Sequence, residues 1–321
     1  MIKKIAVLTS GGDSPGMNAA IRSVVRSARH FGLEVVGIHE GYKGLVEGGE
    51  NYEVMSRKSV TDIIARGGTI LGSARLPNFP EPEMTQKGIQ TLKDNGVDGL
   101  VVIGGDGTYA GANRLHKHGV HVVGLPGTID NDIANTDYTI GFDTCVNTVV
   151  EAIDKLRDTC GSHHRCAVIE VMGRYCGDIA RAAGLATGAE FVVTNNQNND
   201  LQTILDQTKT FKEQGKRHPI IIVTEHLFDV FELAKEIEAY SGMETRATVL
   251  GHIQRGGKPS SYDRILASRL GLAAVEALLR GESGVCLGVQ SNEVVLTPFE
   301  DVIGHKKDLF NEYEDIIKVI S

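Results

Sequence analysis

The sequence predicts an α/β protein built from two doubly wound, Rossmann-like lobes with mainly parallel sheets. Three observations support this fold class. Short apolar runs alternate with segments of helical periodicity from one end of the chain to the other. The 38 glycines follow no repeating period, which indicates many tight loops between strands and helices. The length of 321 residues favours two lobes over a single sheet.

In the first half of the chain, short apolar runs mark the strands. Strands are predicted at Ile5–Thr9, Val35–Ile38, Leu100–Ile103 and His121–Leu125. Apolar residues at helical spacing predict helices from about Met17, over Gln86–Asn95, near Tyr109–His118 and over about Asp143–Arg157. Glycine-containing polar loops follow three of these strands, at the end of the sheet where open α/β proteins bind their ligands.

The second half repeats the alternation. Strands are predicted at Cys166–Val171, Phe191–Val193, Ile220–Thr224, Thr248–Leu250 and Val285–Val289. Helices are predicted near Asp178–Ala186, Leu201–Gln214, Phe231–Tyr240, Tyr262–Leu279 and Tyr313–Ile320. The polar stretch Thr194–Asp200 is predicted to be a loop, and no low-complexity linker marks a boundary between the lobes.

Composition excludes several classes of protein. The net charge of −8 gives no basic surface for nucleic acid, and no apolar run approaches the length that spans a membrane. The apolar run Ile5–Thr9 is too short for a signal peptide and leads directly into a glycine loop. Five cysteines without a C-x-x-C pair indicate reduced thiols in a cytoplasmic protein.

The loop Pro126–Asp132 follows a predicted buried strand and brings several hydrogen-bonding side chains together. Asp130 could take a proton from a substrate hydroxyl, and Asp132 could help to hold the charges around a bound metal. An Asx-rich turn is the alternative, because Asn and Asp are ordinary turn residues. A second loop of the same kind one strand earlier, Gly104–Thr108, favours the functional interpretation.

The glycine loops indicate a phosphate ligand. Glycines in Gly11–Gly16 let backbone N–H groups approach phosphate closely, but Met17 and Asn18 stand where a P-loop has Lys and Ser or Thr. Gly105–Ala110 matches the dinucleotide pattern G-x-G-x-x-A, which leaves an NAD-dependent enzyme as an alternative. Asp106 would repel a pyrophosphate unless a cation lies between them, so a nucleotide bound through Mg²⁺ is favoured.

Arginine and histidine cluster in short polar runs near predicted strand ends. Arginine binds phosphate oxygens in a bidentate manner, so these runs suggest an anionic substrate. The alternative is a set of solvated surface arginines. Glu225, directly after a strand, could accept hydrogen bonds from sugar hydroxyls. The runs are Gly72–Arg75, Ser162–Arg165, Met172–Arg174, Thr245–Arg246 and His252–Arg255.

Five motifs together resemble those of bacterial ATP-dependent 6-phosphofructokinases, and the resemblance covers essentially the whole chain in order. The motifs are Leu8–Asn18, Ile103–Gly107, Pro126–Asp132, Met172–Arg174 and Gly251–Gly257. The resemblance implies a two-lobed α/β fold in a homotetramer, with ATP on the larger lobe and fructose 6-phosphate mainly on the smaller one. The larger lobe is expected to span residues 1–140 plus about 253–303, and the smaller about 141–252 plus about 304–321.

The resemblance also implies roles for individual residues. Asp130 corresponds to the base that deprotonates the sugar's 1-hydroxyl, and the further catalytic residues are Thr128, Asp132, Arg174 and Arg75. Asp106 corresponds to the Mg²⁺ contact within an ATP site made of Gly12, Arg75, Leu76, Gly105, Asp106, Gly107 and Thr108. The sugar-phosphate site corresponds to Thr128, Ile129, Asp130, Met172, Gly173, Arg174, Glu225, His252, Ile253, Gln254 and Arg255. Arg165 and Arg246 correspond to substrate-binding residues that the family contributes from a neighbouring subunit.

An allosteric nucleotide site is implied as well, with ADP as activator and phosphoenolpyruvate as inhibitor. Arg22 and Arg26 are one helical turn apart, so both lie on one face, as a phosphate clamp requires. The alternative is a basic surface patch. The matching residues are Arg22, Arg26, Arg57, Lys58, Ser59, Asp62, Arg157, Gly188, Ala189, Glu190, Lys216, Arg217 and His218. Gln214 departs from the family pattern, which has Lys at this position.

Two related functions remain alternatives: a pyrophosphate-dependent phosphofructokinase and a non-catalytic sensor of nucleotide or sugar phosphate. Pyrophosphate-dependent relatives typically carry Asp and Lys where this chain has Gly107 and Gly127, so ATP is favoured as the phosphoryl donor. A sensor needs no base, so the retained Asp130 argues against it. The resemblance therefore implies a glycolytic kinase that converts ATP and fructose 6-phosphate to ADP and fructose 1,6-bisphosphate.

Overall fold

The computed structural model describes residues 2–195, 200–305, 307 and 311–320, and the chain divides into two compact units. The larger unit comprises Met1–Ile129, Ile133–Thr144 and Arg255–Lys306. The smaller unit comprises Asp130–Asp132, Cys145–Gln254 and Lys307–Ser321. The sequence placed residues 130–132 in the larger lobe, but their contacts group them with the smaller unit. The expected lobe boundaries and the functional assignment of the lobes stay predictions.

Strands and helices alternate along the described chain. The strands are β1 (Lys4–Thr9), β2 (Glu34–Ile38), β3 (Tyr52–Met55), β4 (Gly99–Gly104), β5 (Val122–Pro126), β6 (Cys166–Val171), β7 (Phe191–Val193), β8 (Ile220–Thr224), β9 (Thr245–Val249), β10 (Val285–Gln290) and β11 (Glu293–Pro298). The helices are α1 (Met17–His30), α2 (Gly41–Glu47), α3 (Pro82–Asp94), α4 (Asp106–Lys117), α5 (Phe142–His163), α6 (Asp178–Thr187), α7 (Leu201–Glu213), α8 (Val230–Ser241), α9 (Ser261–Leu279) and α10 (Asn311–Ile320). Short 3₁₀ turns lie at Gly49–Asn51, Gly251–Arg255 and Phe299–Asp301.

The larger unit is organised around one sheet with the strand order β11-β10-β5-β4-β1-β2-β3 among the described residues. The inner strands run parallel, while β3 and β11 pair antiparallel at the two edges. Side chains of β1 alternate between two cores: Ile5 and Val7 pack with α1 and α9, and Ala6 and Leu8 pack with α2, α3 and α4. Burial on both faces explains why β1, β4 and β5 are continuous apolar runs.

The smaller unit contains a parallel sheet with the order β7-β8-β6-β9 among the described residues. Residues of α7 and α8 pack on one face, where Ile204 and Ile237 join Val168 and Ile221 in a buried cluster. The helices α6 and α10 contact each other. This arrangement, together with the larger sheet, confirms the predicted α/β fold with mainly parallel sheets.

The differences from the predicted elements lie mainly at sheet edges. The edge strand β9 begins at Thr245, three residues before the predicted start, because its partly exposed sequence Thr-Arg-Ala-Thr-Val is not an apolar run. The edge strands β3 and β11 were not predicted either, and both are largely half-buried or exposed. Of the predicted loop Thr194–Asp200, residues 196–199 lie outside the described residues. Within the described part of the chain, no helix is both long and apolar enough to span a membrane.

Candidate active site

The first glycine loop lies between β1 and α1 in the larger unit. Gly11 and Gly16 have φ values of 85° and 115°, which side chains other than glycine rarely adopt. The carbonyl of Gly11 accepts a hydrogen bond from Ser73 Oγ at 2.6 Å, so the loop is fixed from outside. A Cβ at Gly12 would clash with Nη1 of Arg255. The backbone therefore approaches a cation closely at this point.

Arg255 lies beside this loop, although the sequence grouped it with the sugar-phosphate residues. It belongs to the larger unit, and its Nη1 donates to the carbonyl of Asp13 at 3.2 Å. Arg75 is exposed and Leu76 is half-buried, shortly after Ser73 in an irregular segment of the same unit. Gly12, Arg75 and Arg255 thus present backbone N–H groups and guanidinium groups from the larger unit.

The second glycine loop connects β4 to α4. Thr108 Oγ1 donates to the carbonyl of Ser10 at 3.1 Å, which ties this loop to the end of β1. The buried hydroxyl of Tyr42 donates to the carbonyl of Thr108 at 2.6 Å. A Cβ at Gly104 would clash with the Thr108 side chain and with the Ser10 carbonyl. Only glycine fits at this position without moving backbone.

Asp106, the predicted Mg²⁺ contact, begins α4 and is half-buried. Its Oδ1 accepts a hydrogen bond from the backbone N–H of Gly304 at 3.2 Å. Among the described residues, no group of three or more His, Cys, Asp or Glu side chains could hold a metal ion. A single carboxylate at a helix N-terminus matches Mg²⁺ that takes its remaining ligands from nucleotide phosphates and water.

The loop after β5 starts beside the loop after β4, because these two strands pair in parallel. Gly127 N–H donates to the carbonyl of Gly104 at 3.0 Å, and a Cβ at Gly105 would lie 3.8 Å from Cβ of Thr128. The Thr128 carbonyl accepts a bond from Thr139 Oγ1 at 2.6 Å. Thr128 is therefore held against the glycine loop, and Ile129 after it is fully buried.

Asp130 and Asp132 continue this loop into the smaller unit. Asp130 is 7% exposed, Asp132 is half-buried, and Asn131 between them is fully buried with a φ of 55°. Asn131 Nδ2 donates to Asp178 Oδ2 at 2.9 Å. Burial raises the pKa of Asp178, while Lys307, Asn131 and Arg181 favour its charged form.

The turn after β6 is held by side chains on both sides. Met172 N–H donates to Oε1 of Gln254 at 3.0 Å, and Arg174 N–H donates to Oε1 of Glu225 at 2.8 Å. Gly173 has a φ of 133°, and Arg174 has a φ of 56° with an exposed side chain. The turn therefore presents the exposed guanidinium of Arg174, which lies over the Tyr175 ring at 5.6 Å, together with the carboxylate of Glu225.

Gln254 has a different place from the one that the sequence suggested. It is fully buried, and its Nε2 donates to the Gly251 carbonyl at 3.0 Å while its Oε1 holds Met172. Both ends of the amide are engaged with backbone, so Gln254 shapes the turn. Its neighbours His252 and Ile253 are exposed.

Arg165 and Arg246 lie together at the amino-terminal ends of β6 and β9. Both contact the carboxylate of Glu244, with Arg165 Nε 2.9 Å from Oε1. These contacts lower the pKa of Glu244, chiefly through the hydrogen bond from Arg165. Because Met172–Arg174 follows the carboxyl end of β6, the two arginines lie at the opposite end of the same sheet.

The predicted effector residues fall into one group in each unit. In the larger unit, Arg22 and Arg26 lie on α1, and burial together with the charge of Arg26 lowers the pKa of Arg22. Arg57, Lys58, Ser59 and Asp62 occupy the turns after β3, where Ser56 and Ser59 hydrogen-bond to each other. The charge of Asp62 opposes the lowering of the Arg22 pKa, which places Asp62 near Arg22.

In the smaller unit, Arg157 Nη2 donates to the Thr187 and Gly188 carbonyls at 2.9 and 3.2 Å. Lys216 lies 3.5 Å from Glu190, whose other oxygen accepts from Ile220 N–H. Ala189 is buried next to Gly188. Gln214 and Arg217 are exposed at the end of α7, and His218 is half-buried.

Several supporting residues were not identified from the sequence. Tyr42 and Thr139 hold the two loops of the larger unit, and Asp178 with Arg181 lies behind Asn131. The available signal for the last pair was two charged residues three positions apart within the otherwise apolar helix Asp178–Thr187. Charged side chains inside an apolar helix are rarely buried unless they are paired.

Comparison with known proteins agrees with this geometry. The chain matches the family described as Phosphofructokinase over residues 4–278. It is 56% identical over 310 residues to the ATP-dependent 6-phosphofructokinase of Serratia proteamaculans, covering 97% of this chain and 96% of that protein. It is 53% identical over 321 residues to the ATP-dependent 6-phosphofructokinase of Edwardsiella ictaluri, covering 100% of both.

Solved structures show the same fold. The Pichia pastoris phosphofructokinase in the T-state superposes with a TM-score of 0.89 and 35% identity, over 94% of this chain and 35% of that longer chain. The pyrophosphate-dependent phosphofructokinase of Nitrosospira multiformis superposes with a TM-score of 0.87 and 20% identity, over 96% of this chain and 86% of that one. At 20% identity, the second likeness shows the fold alone.

Proposed function

The chain belongs to the phosphofructokinase family, and we propose that it transfers a phosphoryl group from ATP to the 1-hydroxyl of fructose 6-phosphate. The products are ADP and fructose 1,6-bisphosphate, and the step belongs to glycolysis in the cytoplasm. One observation carries the proposal: the glycine loop with Asp106 and the loop that leads to Asp130 start side by side at the ends of β4 and β5. Phosphate-binding backbone and a candidate base thus follow neighbouring strands.

Asp130 is the proposed general base. Its carboxylate takes the proton from the 1-hydroxyl as that oxygen attacks the γ-phosphorus of ATP and the bond to the ADP oxygen breaks. Burial at 7% exposure limits competition from water. Thr128 and Asp132 flank the base and orient the reacting groups, which is the larger part of catalysis in phosphoryl transfer.

The larger unit is proposed to bind ATP. Gly12, Gly105 and Gly107 offer backbone N–H groups, and α4 directs its N-terminus toward negative charge. Thr108 N–H donates to the Gly105 carbonyl at 2.9 Å and so stabilises the same loop. Arg75 and Leu76 extend this surface toward the nucleotide. Asp106 would hold Mg²⁺, which neutralises phosphate charge when it is bound.

The smaller unit is proposed to bind fructose 6-phosphate. Met172, Gly173 and Glu225 present the turn and carboxylate that contact the sugar, with His252 and Ile253 exposed nearby in sequence. Arg174 supplies a guanidinium that stabilises the charge on the transferring phosphoryl group. Arg255 adds a further cation for phosphate.

We infer that Arg165 and Arg246 serve the active site of a second copy in a homotetramer. The supporting observation is their position at the amino-terminal ends of β6 and β9, opposite the end that carries Met172–Arg174. Two arginines that share Glu244 can release it when a sugar phosphate arrives, because phosphate matches guanidinium bidentately. Activity would then depend on assembly.

The effector groups on the two units are proposed to bind ADP as activator and phosphoenolpyruvate as inhibitor. Arg22 lies close enough to Arg26 for their charges to lower its pKa, and such a pair gains most from an anion placed between them. Arg157 and Lys216 supply cations in the smaller unit.

ATP is proposed over pyrophosphate because of Gly107 more than Gly127. A Cβ at Gly107 would meet nothing within 4 Å, so an acidic side chain there would fit and would project into the open nucleotide side. A Cβ at Gly127 would lie 2.9 Å from Ile103 Cγ2 and 3.1 Å from Met17 Cε, so packing alone accounts for glycine there.

The test is turnover of fructose 6-phosphate with ATP and with pyrophosphate at saturating Mg²⁺. We expect product with ATP and little with pyrophosphate, and Gly107→Asp should weaken the use of ATP. Faster turnover with pyrophosphate would support the pyrophosphate-dependent alternative. Binding of both substrates without turnover would support the non-catalytic sensor.

A further inference from the structure

A chain of buried polar contacts lies behind the loop that carries Asp130. Asn131 Nδ2 donates to Asp178 Oδ2 at 2.9 Å, and Asp178 Oδ1 lies 3.4 Å from Nη1 of Arg181. Arg181 Nε donates to Oε1 of Glu314 at 2.6 Å. Thr194 Oγ1 accepts from Arg181 Nη2 at 3.2 Å and donates to Glu314 at 2.7 Å. All these residues belong to the smaller unit.

The contacts are strongly buried and balanced in charge. Asp178 is 0% exposed, Arg181 is 1% exposed and Glu314 is 8% exposed. Lys307, also buried, adds a second positive charge that acts on Asp178. Two carboxylates thus face two cations, which is the condition under which buried charges are tolerated. Removal of one member leaves an uncompensated charge that the neighbours must accommodate.

Glu314, the last residue in this series of contacts, lies on helix α10. Ile317 of α10 is 4% exposed and packs toward Gly184 of α6, where an added Cβ would lie 3.2 Å from Ile317 Cδ1. The absence of a side chain at Gly184 lets α10 approach α6 closely. Glu314 is thereby fixed in a position from which it orients Arg181.

Asn131, the first residue in this series of contacts, lies between Asp130 and Asp132 in the loop. Asn131 has a φ of 55°, in the left-handed region that Asn tolerates better than most residues. Its amide is anchored by Asp178, so the backbone of Asp130 and Asp132 on either side is held as well. A small rotation here would move both carboxylates, and a displacement of about 1 Å can cost roughly 100-fold in rate.

We propose that Glu314, Arg181 and Asp178 are positioning residues that hold the Asp130–Asp132 loop in its reactive conformation. The C-terminal helix therefore contributes to turnover through Asn131 without touching substrate. The proposal rests on the proposed function, because it assigns the loop's geometry a role in phosphoryl transfer. Because most of the proposed sugar-phosphate contacts come from residues outside this loop, such as Met172, Arg174 and Glu225, we expect the effect mainly in kcat and much less in the KM for fructose 6-phosphate.

The test compares Glu314→Gln with Asp315→Asn on the same helix. Asp315 has a side chain that is 83% exposed and pairs only with Lys318 among the contacts found for it in the described chain, so it controls for general effects on α10. We expect Glu314→Gln to lower kcat roughly tenfold, with the KM for fructose 6-phosphate changed less than about twofold. Asp315→Asn should retain wild-type values for both constants.

A double-mutant cycle identifies the route. If Glu314 acts through Asn131, the loss of kcat in Asn131→Ala combined with Glu314→Gln should be smaller than the product of the separate losses. Losses that multiply fully, or a rise in KM at unchanged kcat, would overturn the proposal. A wild-type enzyme without turnover of ATP and fructose 6-phosphate would reject the proposed function first, and this inference with it.

A second variant covers the case in which Glu314→Gln does not fold. The pair Arg181→Met and Glu314→Leu removes both charges at similar volume, which buried ion pairs often tolerate. Asp178 then loses the guanidinium that orients it, so we expect a folded protein with kcat still reduced roughly tenfold. Wild-type kcat in this folded variant would show that the contacts only stabilise the smaller unit.

Discussion

The larger and smaller units hold their candidate functional residues in place by different means. In the larger unit, glycine loops bring backbone N–H groups into position, and a Cβ at Gly104 has no room. In the smaller unit, side chains hold the loops: Gln254 fixes Met172, Glu225 fixes Arg174, and Asp178 fixes Asn131. Phosphate needs close backbone donors, whereas a base and a sugar site need carboxylates with fixed orientation.

The largest expected effect tests the base on the smaller unit. We expect Asp130→Asn to lower kcat by roughly 10²–10⁴, the usual contribution of a positioned general base. Binding of fructose 6-phosphate and the melting temperature should change little, because Asn fills the same volume. Calorimetric titration with fructose 6-phosphate on the same preparation is the control. Turnover close to that of wild type would remove Asp130 from this role.

The next prediction concerns Asp263, a buried carboxylate of the larger unit. It fixes backbone through its side chain, unlike the glycine loops of the same unit. Asp263 accepts from Gly141 N–H and Thr144 N–H at 2.8 Å each, and thus holds the start of α5. Burial raises its pKa from 3.8 to about 6, although these donors favour the charged form. The pKa of Asp263 is higher in the folded state than in the unfolded state. Its contribution to the stability of the folded state is therefore complete below about pH 4 and is lost as the pH rises through about 6.

We expect Asp263→Asn to abolish this pH dependence. The free energy of unfolding of wild type, measured relative to the variant, should fall by about 3 kcal/mol between pH 4 and pH 7. The exposed Asp315→Asn is the control, and its difference from wild type should stay nearly constant. Urea unfolding at several pH values provides the measurement. A difference for Asp263→Asn that grows with pH would contradict the raised pKa.

A matched pair of glycines tests the backbone construction of the larger unit directly. Gly104→Ala places a methyl group against the Ser10 carbonyl, so we expect a loss of about 1–3 kcal/mol in unfolding free energy and a higher KM for ATP. Gly107→Ala meets nothing within 4 Å and lies in the first turn of α4, so we expect a gain of about 0.5 kcal/mol or no change. Equal effects from both substitutions would show that packing around Gly104 does not shape the ATP loop.

The smallest expected effect concerns the effector residues of the smaller unit. Gln214 is exposed at the end of α7, at a position where the resemblance noted from the sequence implies Lys. Gln214→Lys should tighten ADP binding by about 1–2 kcal/mol, on the scale of a hydrogen bond to a charged group. The control is Gln207→Lys, which adds the same charge elsewhere on α7. ADP titrations at subsaturating fructose 6-phosphate would detect the difference, and no response to ADP in either protein would remove the allosteric proposal.

The sequence predicts the interior of the fold better than its edges. Strands such as Cys166–Val171 and Ile220–Thr224 were predicted with their observed bounds, because burial on both faces makes them continuous apolar runs. The edge strands β3 and β11 were missed: the polar residue Glu53 interrupts the apolar residues of β3, and the apolar run of β11 is only three residues long and only partly buried. Edge pairing depends on the neighbouring strand, which a local pattern does not contain.

The residues of the candidate site also differ in how well the sequence predicts them. Residues that offer polar groups at strand ends, such as Asp106, Thr128 and Asp130, stand out locally in the sequence. Residues that support them do not: Asn131 meets Asp178 across 47 positions, and Arg181 meets Glu314 across 133. Such partners come together only when the chain folds. Gln254 shows the same limit, since its hydrogen bonds to the backbone of Met172 and Gly251 could not be predicted from the motif that contains it.

The most direct test of the account follows the transferred phosphoryl group by phosphorus NMR in a mixture of enzyme, Mg²⁺, ATP and fructose 6-phosphate. The account predicts that ADP and a new phosphate ester at the 1-position of the sugar form in equal amounts, and that Asp130→Asn forms neither at a comparable rate. Release of orthophosphate from ATP without a new sugar phosphate, or consumption of added pyrophosphate in preference to ATP, would contradict it.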